Sequence, residues 1–148
     1  MKIDFYNIGE IDDRNLKFAV IVSKFQDKWV FVRHRDRDTW EIPGGHRENG
    51  ENIDETAKRE LFEETGAEDF QIESVCDYSV TRDSITTYGR LFISEIKELD
   101  TLPNFEIKEI KFFHKLPDNL TYAEIQPYLF EKVKSIKPIK PWNSGKTI

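Results

Sequence analysis

The sequence lacks the features of a secreted or membrane-spanning protein. It contains a single cysteine, Cys76, which excludes a disulfide framework and is typical of a reducing compartment. No apolar run approaches the length of about eighteen residues that a transmembrane helix needs. The N-terminal MKIDFYNIGE also has no apolar stretch like that of a signal peptide. We therefore expect a cytoplasmic protein with no membrane partner.

Positive charge is also scarce. The chain has 22 lysine and arginine residues against 28 aspartate and glutamate residues, and its net charge is −6. Proteins that bind duplex nucleic acid normally carry a basic surface, so duplex nucleic acid is not an expected partner. A small anionic ligand remains compatible with this charge if a bound metal ion supplies local positive charge.

Linkers rich in proline, glycine and serine are absent, and so are internal repeats. A chain of 148 residues has room for one hydrophobic core. We predict a single domain over residues 1–136, followed by a C-terminal tail over 137–148. The sequence is compatible with either a monomer or a homodimer.

Runs of β-branched and aromatic residues bounded by turn signals predict strands over residues 16–25, 28–35, 39–45, 70–81, 85–96 and 107–117. After the third strand, apolar residues recur every four positions, which predicts a helix over about 52–66 with an Asn52/Glu55 capping box. A second helix is predicted over 121–136, where Pro127 indicates either a kink or a later start. This order of elements predicts an α/β (α+β) domain with helices packed on a sheet.

The segment RELFEETG, residues 59–66, concentrates like charge on one helix. On a helical wheel Glu60, Glu63 and Glu64 share one face, and Glu64 falls within the apolar stripe. Burying carboxylates without partners is costly. Arg59 and Glu63 are i,i+4 partners, which is compatible with a structural charge network. A divalent cation, which prefers oxygen ligands, is the other explanation, and helix geometry alone leaves both open.

Glycine residues precede this helix in the segment IPGGHRENGE. Gly44 and Gly45 allow the backbone to approach a ligand closely, and the N-terminus of a helix favours anions. Beside a metal site, these residues predict that a phosphate is held between backbone and cation.

The spacing of these residues resembles the motif of a known family. Gly45, five residues, Glu51, seven residues and then RELFEETGA, residues 59–67, are similar to the complete Nudix box, G-x5-E-x7-R-E-U-x-E-E-x-G-U, where U is apolar. Every fixed position is occupied. The resemblance implies a Nudix-type α/β/α sandwich with a mixed β-sheet and the catalytic helix at about 52–66. It also implies hydrolysis of a nucleoside diphosphate linked to another group.

Roles for individual residues follow from the same resemblance. Glu60, Glu63 and Glu64 would bind Mg²⁺ or Mn²⁺, and Glu60 or a neighbouring carboxylate would take a proton from the attacking water. Glu51 would support these ligands or reach a second ion, and Arg59 would orient the glutamates. Metal-assisted phosphoryl chemistry needs no nucleophilic side chain, which agrees with the absence of a serine or cysteine triad pattern.

The sequence indicates the substrate less clearly than it indicates the family. The region after the box has neither the proline typical of ADP-ribose hydrolases nor the tyrosine typical of dinucleoside polyphosphate hydrolases. The chain therefore most resembles the MutT-like members, which hydrolyse nucleoside triphosphates such as 8-oxo-dGTP to the monophosphate and pyrophosphate. ADP-ribose, a dinucleoside polyphosphate or an RNA 5′-pyrophosphate is the alternative substrate.

Four residues are predicted to contact the substrate: Gly44, Gly45, Arg35 and Glu106. Arg35 could contact phosphate, although the aspartates beside it are also typical of a solvated hairpin end. The candidates for a further carboxylate downstream of the box are Glu95, Glu98, Glu106 and Glu109, and Glu106 is slightly favoured. A catalytically inactive nucleotide sensor on the same fold is an alternative from a different class. The complete set of box glutamates favours an enzyme.

Overall fold

A computed structural model describes residues 1–103 and 106–136. Within them, seven strands and two α-helices form. The strands are β1 Lys2–Tyr6, β2 Leu16–Phe25, β3 Lys28–His34, β4 Gly44–His46, β5 Ala67–Arg82, β6 Ile85–Leu99 and β7 Ile107–Phe113. The helices are α1 Ile53–Thr65 and α2 Gln126–Ile136, and a short 3-10 helix spans Asp13–Asn15. Over the same described residues, no helix has the length and apolar character needed to cross a membrane.

The strands form one mixed sheet with a helix on each face. Its order is β1-β5-β6-β2-β3-β7, with β4 paired to β2. β2 and β6 run parallel, and the other neighbours run antiparallel. Because side chains alternate along a strand, Ile21 of β2 packs with Leu61 of α1, whereas Val20 packs with Leu129 of α2. This arrangement confirms the predicted α/β/α sandwich.

Two tight turns connect consecutive antiparallel strands. Gln26 and Asp27, with φ of 51° and 65°, connect β2 to β3. Asp83 and Ser84, with φ of 53° and 66°, connect β5 to β6. Positive φ at both central residues is the geometry of two-residue hairpin turns, which match the twist of the flanking strands.

The strand predicted over 39–45 is wrong in part. Only Gly44–His46 forms a strand, while Glu41 makes an isolated bridge to β3 and the Pro43 carbonyl accepts an N–H from β2. Proline has no N–H, so it interrupts a continuous ladder. The segment lies between β2 and β3, which pair with each other only beside their turn. As a result, it carries Glu41 into the interior of the domain and places the two half-buried glycines beside β2.

Two further elements differ from the prediction. Strand β1, a short strand at the edge of the sheet, pairs with β5 and is not predicted from the sequence. Thr121 and Glu124 resemble a capping box, but residues 121–125 form turns and α2 begins at Gln126. This is the later start that Pro127 allowed, because proline fits the first turn of a helix, where its missing N–H costs nothing. The tail predicted over 137–148 lies outside the described residues.

Candidate active site

Helix α1 is capped at both ends as the sequence predicts. The Asn52 side chain accepts the Glu55 N–H at 2.8 Å, and the Glu55 side chain accepts the Asn52 N–H at 2.9 Å. Gly66 ends the helix with φ of 78°, in the left-handed region that favours glycine. These caps, together with the apolar stripe packed on the sheet, determine which glutamates point inward.

Glu64 points into the protein, as the helical wheel predicts. The residue is 5% exposed, and its Oε1 accepts the Gly44 N–H at 3.0 Å. Burial raises the pKa of Glu64 well above the ordinary value, the Gly44 N–H opposes that shift, and the charges of Glu60 and Glu41 add to it. A charge network within α1 does not account for Glu64, because its partners are the N–H of Gly44 on β4 and His34 Nε2, 3.6 Å away on β3.

Glu60 lies directly against Gly45. A Cβ atom at position 45 would overlap the Glu60 carboxylate, so only glycine permits this approach. Burial raises the pKa of Glu60, while Arg59 lowers it and Glu63 raises it again. Glu60 and Glu64 are therefore two neighbouring carboxylates whose charged forms are disfavoured by their surroundings.

Because the two glycines have different neighbours, we expect their alanine variants to have different effects. In Gly44→Ala the new methyl group would overlap the Ala19 carbonyl of β2, so we expect the free energy of unfolding to fall by about 3 kcal/mol. In Gly45→Ala the obstacle is the flexible end of Glu60, so the fold should survive while kcat falls at least about tenfold. Denaturant unfolding and steady-state kinetics measure the two effects. Equal stability loss in both variants would contradict the assignment.

Arg59 forms hydrogen bonds with the remaining acidic side chains of the box. Its guanidinium donates to both oxygens of Glu51, and the distance from Nη2 to Oε1 is 3.0 Å. Nη1 donates to Glu60 Oε2 at 3.1 Å and to Glu63 Oε1 at 3.2 Å. Nη2 also donates to the His46 carbonyl at 3.1 Å, which links α1 to β4. The i,i+4 pair of Arg59 with Glu63 is thus confirmed. The hydrogen bond from Arg59 lowers the pKa of Glu51 to about 2.

The pKa of Glu51 predicts how its contribution to stability depends on pH. Because the folded pKa of about 2 lies below the ordinary 4.5, Glu51 stabilises the fold above pH 4.5 and loses this effect as the pH falls toward 2. In EDTA at pH 7, Glu51→Gln should lower the free energy of unfolding by about 1–2 kcal/mol. Urea titrations between pH 7 and about pH 3 should show this difference shrinking. The matched control, exposed Glu68→Gln, should show little difference, and a pH-independent deficit in Glu51→Gln would contradict the mechanism.

A further carboxylate, Glu41, lies behind Glu64. It is 7% exposed, forms an ion pair with Arg37, and its Oε1 lies 3.4 Å from His34 Nε2. Neither Glu41 nor His34 is among the site residues predicted from the sequence. The available signal in the sequence is that Glu41 lies two residues before Pro43 and close to the glycines. Its burial depends on how the segment packs between β2 and β3.

A cavity of about 280 Å³ opens beside the carboxylates. Gly44, Gly45 and Glu41 belong both to its wall and to the carboxylate site. The rest of the wall is mainly apolar and aromatic, with contributions from the sheet and from the start of α2: Phe18, Ala19, Val20, Ile42, His46, Tyr78, Val80, Thr87, Tyr122, Ile125, Gln126 and Leu129. Ligand sites typically combine such an apolar wall with a few polar groups.

Arg35 and Glu106 lie together near the end of β3. The Arg35 N–H donates to the Glu106 carbonyl at 2.7 Å, and both residues are exposed. The guanidinium of the nearby Arg37 pairs with Glu41. The substrate contacts predicted for Arg35 and Glu106 stay predictions.

The glutamates of α1 supply only oxygen donors, which suit a hard divalent cation. Among residues 1–103 and 106–136, no three histidine, cysteine, aspartate or glutamate side chains converge closely enough to hold a metal ion on their own. Mg²⁺ is commonly bound through one or two carboxylates, with water and substrate phosphates completing its coordination. The buried pair Glu60 and Glu64 fits that mode.

Comparison with known proteins confirms the family that the sequence resembles. The NUDIX domain family matches residues 13–132. Over 124 residues the chain is 33% identical to a Bacillus subtilis (strain 168) protein provisionally named 8-oxo-dGTP diphosphatase YtkD, a match that covers 83% of this chain and 77% of that protein.

Solved structures show the same fold. A mutant form of the Bacillus subtilis pyrophosphohydrolase BsRppH superposes with a TM-score of 0.75 at 25% identity, covering 89% of each chain. A C. elegans Ap4A hydrolase complex has a TM-score of 0.62 at 18% identity, over 80% of this chain and 96% of that one, and supports the fold alone. The chain therefore belongs to the Nudix family and is a Nudix pyrophosphohydrolase.

Proposed function

We propose that the protein hydrolyses nucleoside triphosphates, with 8-oxo-dGTP as the leading candidate, to a nucleoside monophosphate and pyrophosphate. The observation that carries this proposal is that Gly44, Gly45 and Glu41 belong both to the cavity wall and to the carboxylate site. A base within the cavity would direct its phosphates past Gly44 and Gly45 toward Glu60 and Glu64. The named activity of the Bacillus subtilis relative supports the same substrate class.

Mg²⁺ or Mn²⁺ is the proposed cofactor, with the buried pair Glu60 and Glu64 as its main protein ligands. Glu63 is a further proposed ligand, although its side chain, held by Arg59, would have to move toward the pair. A bound divalent ion neutralises charge on the phosphates and makes attack by water easier. Glu60 and Glu64 are already buried and mutually repulsive, so a cation stabilises their ionised forms. Glu51 is held by Arg59 with both oxygens, which favours the supporting role over direct contact with an ion.

The chain's own residues then orient the reaction. The Gly44 N–H fixes one oxygen of Glu64, and Arg59 holds Glu51, Glu60 and Glu63 in position. Water attacks phosphorus, the bond between the α and β phosphates breaks, and pyrophosphate leaves. Glu60 or a neighbouring carboxylate would take the proton that the water loses.

A substrate screen with chromatographic product analysis tests the proposal. The substrates are dNTPs, 8-oxo-dGTP, ADP-ribose, dinucleoside polyphosphates and 5′-triphosphate RNA, each with Mg²⁺ and with EDTA. Pyrophosphate and a monophosphate formed from a triphosphate, only with Mg²⁺, are the expected products. AMP and ribose 5-phosphate from ADP-ribose, or preferential hydrolysis of the RNA, would replace the proposed substrate. Binding without hydrolysis of any compound would indicate the nucleotide sensor.

A further inference from the structure

The first residue of α2, Gln126, contacts the segment that leads into the glycines. Its Oε1 accepts the Ile42 N–H at 2.9 Å, and the residue is 6% exposed. The contact joins residues 84 positions apart in the chain. Only the start of α2 at Gln126 and the position of Ile42 between β2 and β3 bring these groups together.

This hydrogen bond determines how the amide is oriented. An amide has one accepting oxygen and an NH₂ group with two donors. Because Oε1 accepts from the backbone, the NH₂ group is directed away from Ile42, and Gln126 lines the cavity. Within residues 1–103 and 106–136, the bond from Ile42 is the one hydrogen bond of this side chain. Its donors are therefore available to a ligand.

The cavity wall around Gln126 suits an aromatic ring. Phe18 and His46 lie in contact on one side, with ring centroids 4.4 Å apart, and Tyr122 lines the cavity as well. Bases stack on aromatic side chains without regard to their identity, so stacking holds a base but does not select one. Selection requires a polar group that contacts the edge of the base.

We propose that Gln126 is a specificity-determining residue that selects 6-oxopurines over 6-aminopurines by donating its amide N–H to O6. The proposal rests on the nucleotide hydrolysis proposed above. Guanine presents an acceptor at position 6, whereas adenine presents an NH₂ donor there, which would oppose the donors of Gln126. Because 8-oxoguanine retains O6, Gln126 separates guanine from adenine but does not separate the oxidised base from the normal one.

The unmodified protein provides the first test. ITP and ATP differ at position 6 of the purine and at the adjacent ring nitrogen, and ITP lacks the 2-amino group of GTP. We expect kcat/KM for ITP to exceed that for ATP at least about tenfold and to approach that for GTP. Hydrolysis of ITP and ATP at equal rates would overturn the role of Gln126 but leave the proposed function intact. Failure to hydrolyse any triphosphate would instead refute the proposed function.

Variants of Gln126 provide the second test. In Gln126→Glu, one oxygen can still accept the Ile42 N–H while the other presents an acceptor, so at pH 8 the ratio of kcat/KM for ITP to ATP should fall at least about tenfold. Methionine has a similar length but cannot form the hydrogen bonds, so Gln126→Met should bring the ratio close to one. This second variant tests the proposal even if Gln126→Glu fails to fold. Gln26→Glu, in the turn between β2 and β3, is the matched charge control and should keep the wild-type ratio. An unchanged ratio in folded Gln126→Glu or Gln126→Met would overturn the proposal.

Discussion

Glu64→Gln should lower kcat by at least about two orders of magnitude while the protein remains folded. Glutamine has the same shape and can still accept the Gly44 N–H, but it has no charge with which to bind a cation. Because Glu64 is buried beside Glu60 and Glu41, neutralising it should also raise the free energy of unfolding in EDTA at pH 7. Glu60→Gln should lower kcat similarly.

Separate measurements of the fold, of ion binding and of turnover distinguish this loss of activity from misfolding. Circular dichroism and urea unfolding report the fold, titration calorimetry with Mn²⁺ reports the ion, and initial rates report turnover. The matched variant Glu68→Gln removes one exposed carboxylate beyond α1 and should retain wild-type kcat and Mn²⁺ affinity. Near-normal turnover of Glu64→Gln would contradict its assignment as a ligand.

The second large effect is on stability. Asp77→Asn should lower the free energy of unfolding by about 3–5 kcal/mol, because it leaves a buried arginine with only the exposed carboxylates of Asp13 and Asp54 as counter-charges. Asp77 is 0% exposed and accepts from Arg90 Nε at 2.7 Å and Nη2 at 3.3 Å, and Arg90 is 5% exposed. Arg90 also lies 3.4 Å from Asp13 and 3.6 Å from Asp54 at the start of α1. The pair therefore anchors α1 to β5 and β6.

Urea unfolding compares this variant with Asp54→Asn. Asp54 is largely exposed, so removing its charge should cost less than about 1 kcal/mol. Replacing both members of the buried pair, as Asp77→Leu with Arg90→Met, should recover much of the loss, because no buried charge is then left unpaired. A loss below about 1 kcal/mol for Asp77→Asn would contradict this account.

Much of the local structure could be predicted because its causes lie within a few residues. The turn at Gln26 and Asp27 and the caps of α1 at Asn52 and Gly66 involve neighbours in the chain. The inward direction of Glu64 follows from the helical period and the apolar stripe alone. Pro127 indicated two possible outcomes for α2, and the structure has the later start.

The features that sequence analysis missed depend on contacts between distant segments. Glu41 is buried because the segment around Pro43 lies between β2 and β3, and no local pattern specifies that position. Gln126 reaches Ile42 only because α2 packs on the face of the sheet opposite α1. Edge strand β1 has too few residues for its alternation to stand out from the surrounding chain.

The sequence by itself determined the family and the set of acidic groups, because the spacing from Gly45 to Ala67 combines a loop, a helix and its cap in one continuous segment. The tertiary structure decided how those groups are used. It directs the Gly44 N–H to Glu64, leaves room for Glu60 at Gly45 and adds Glu41 and Gln126 to the wall of the cavity. The physical reason is that burial and hydrogen bonding across the sheet are set by packing, whereas spacing along one helix is set by its period.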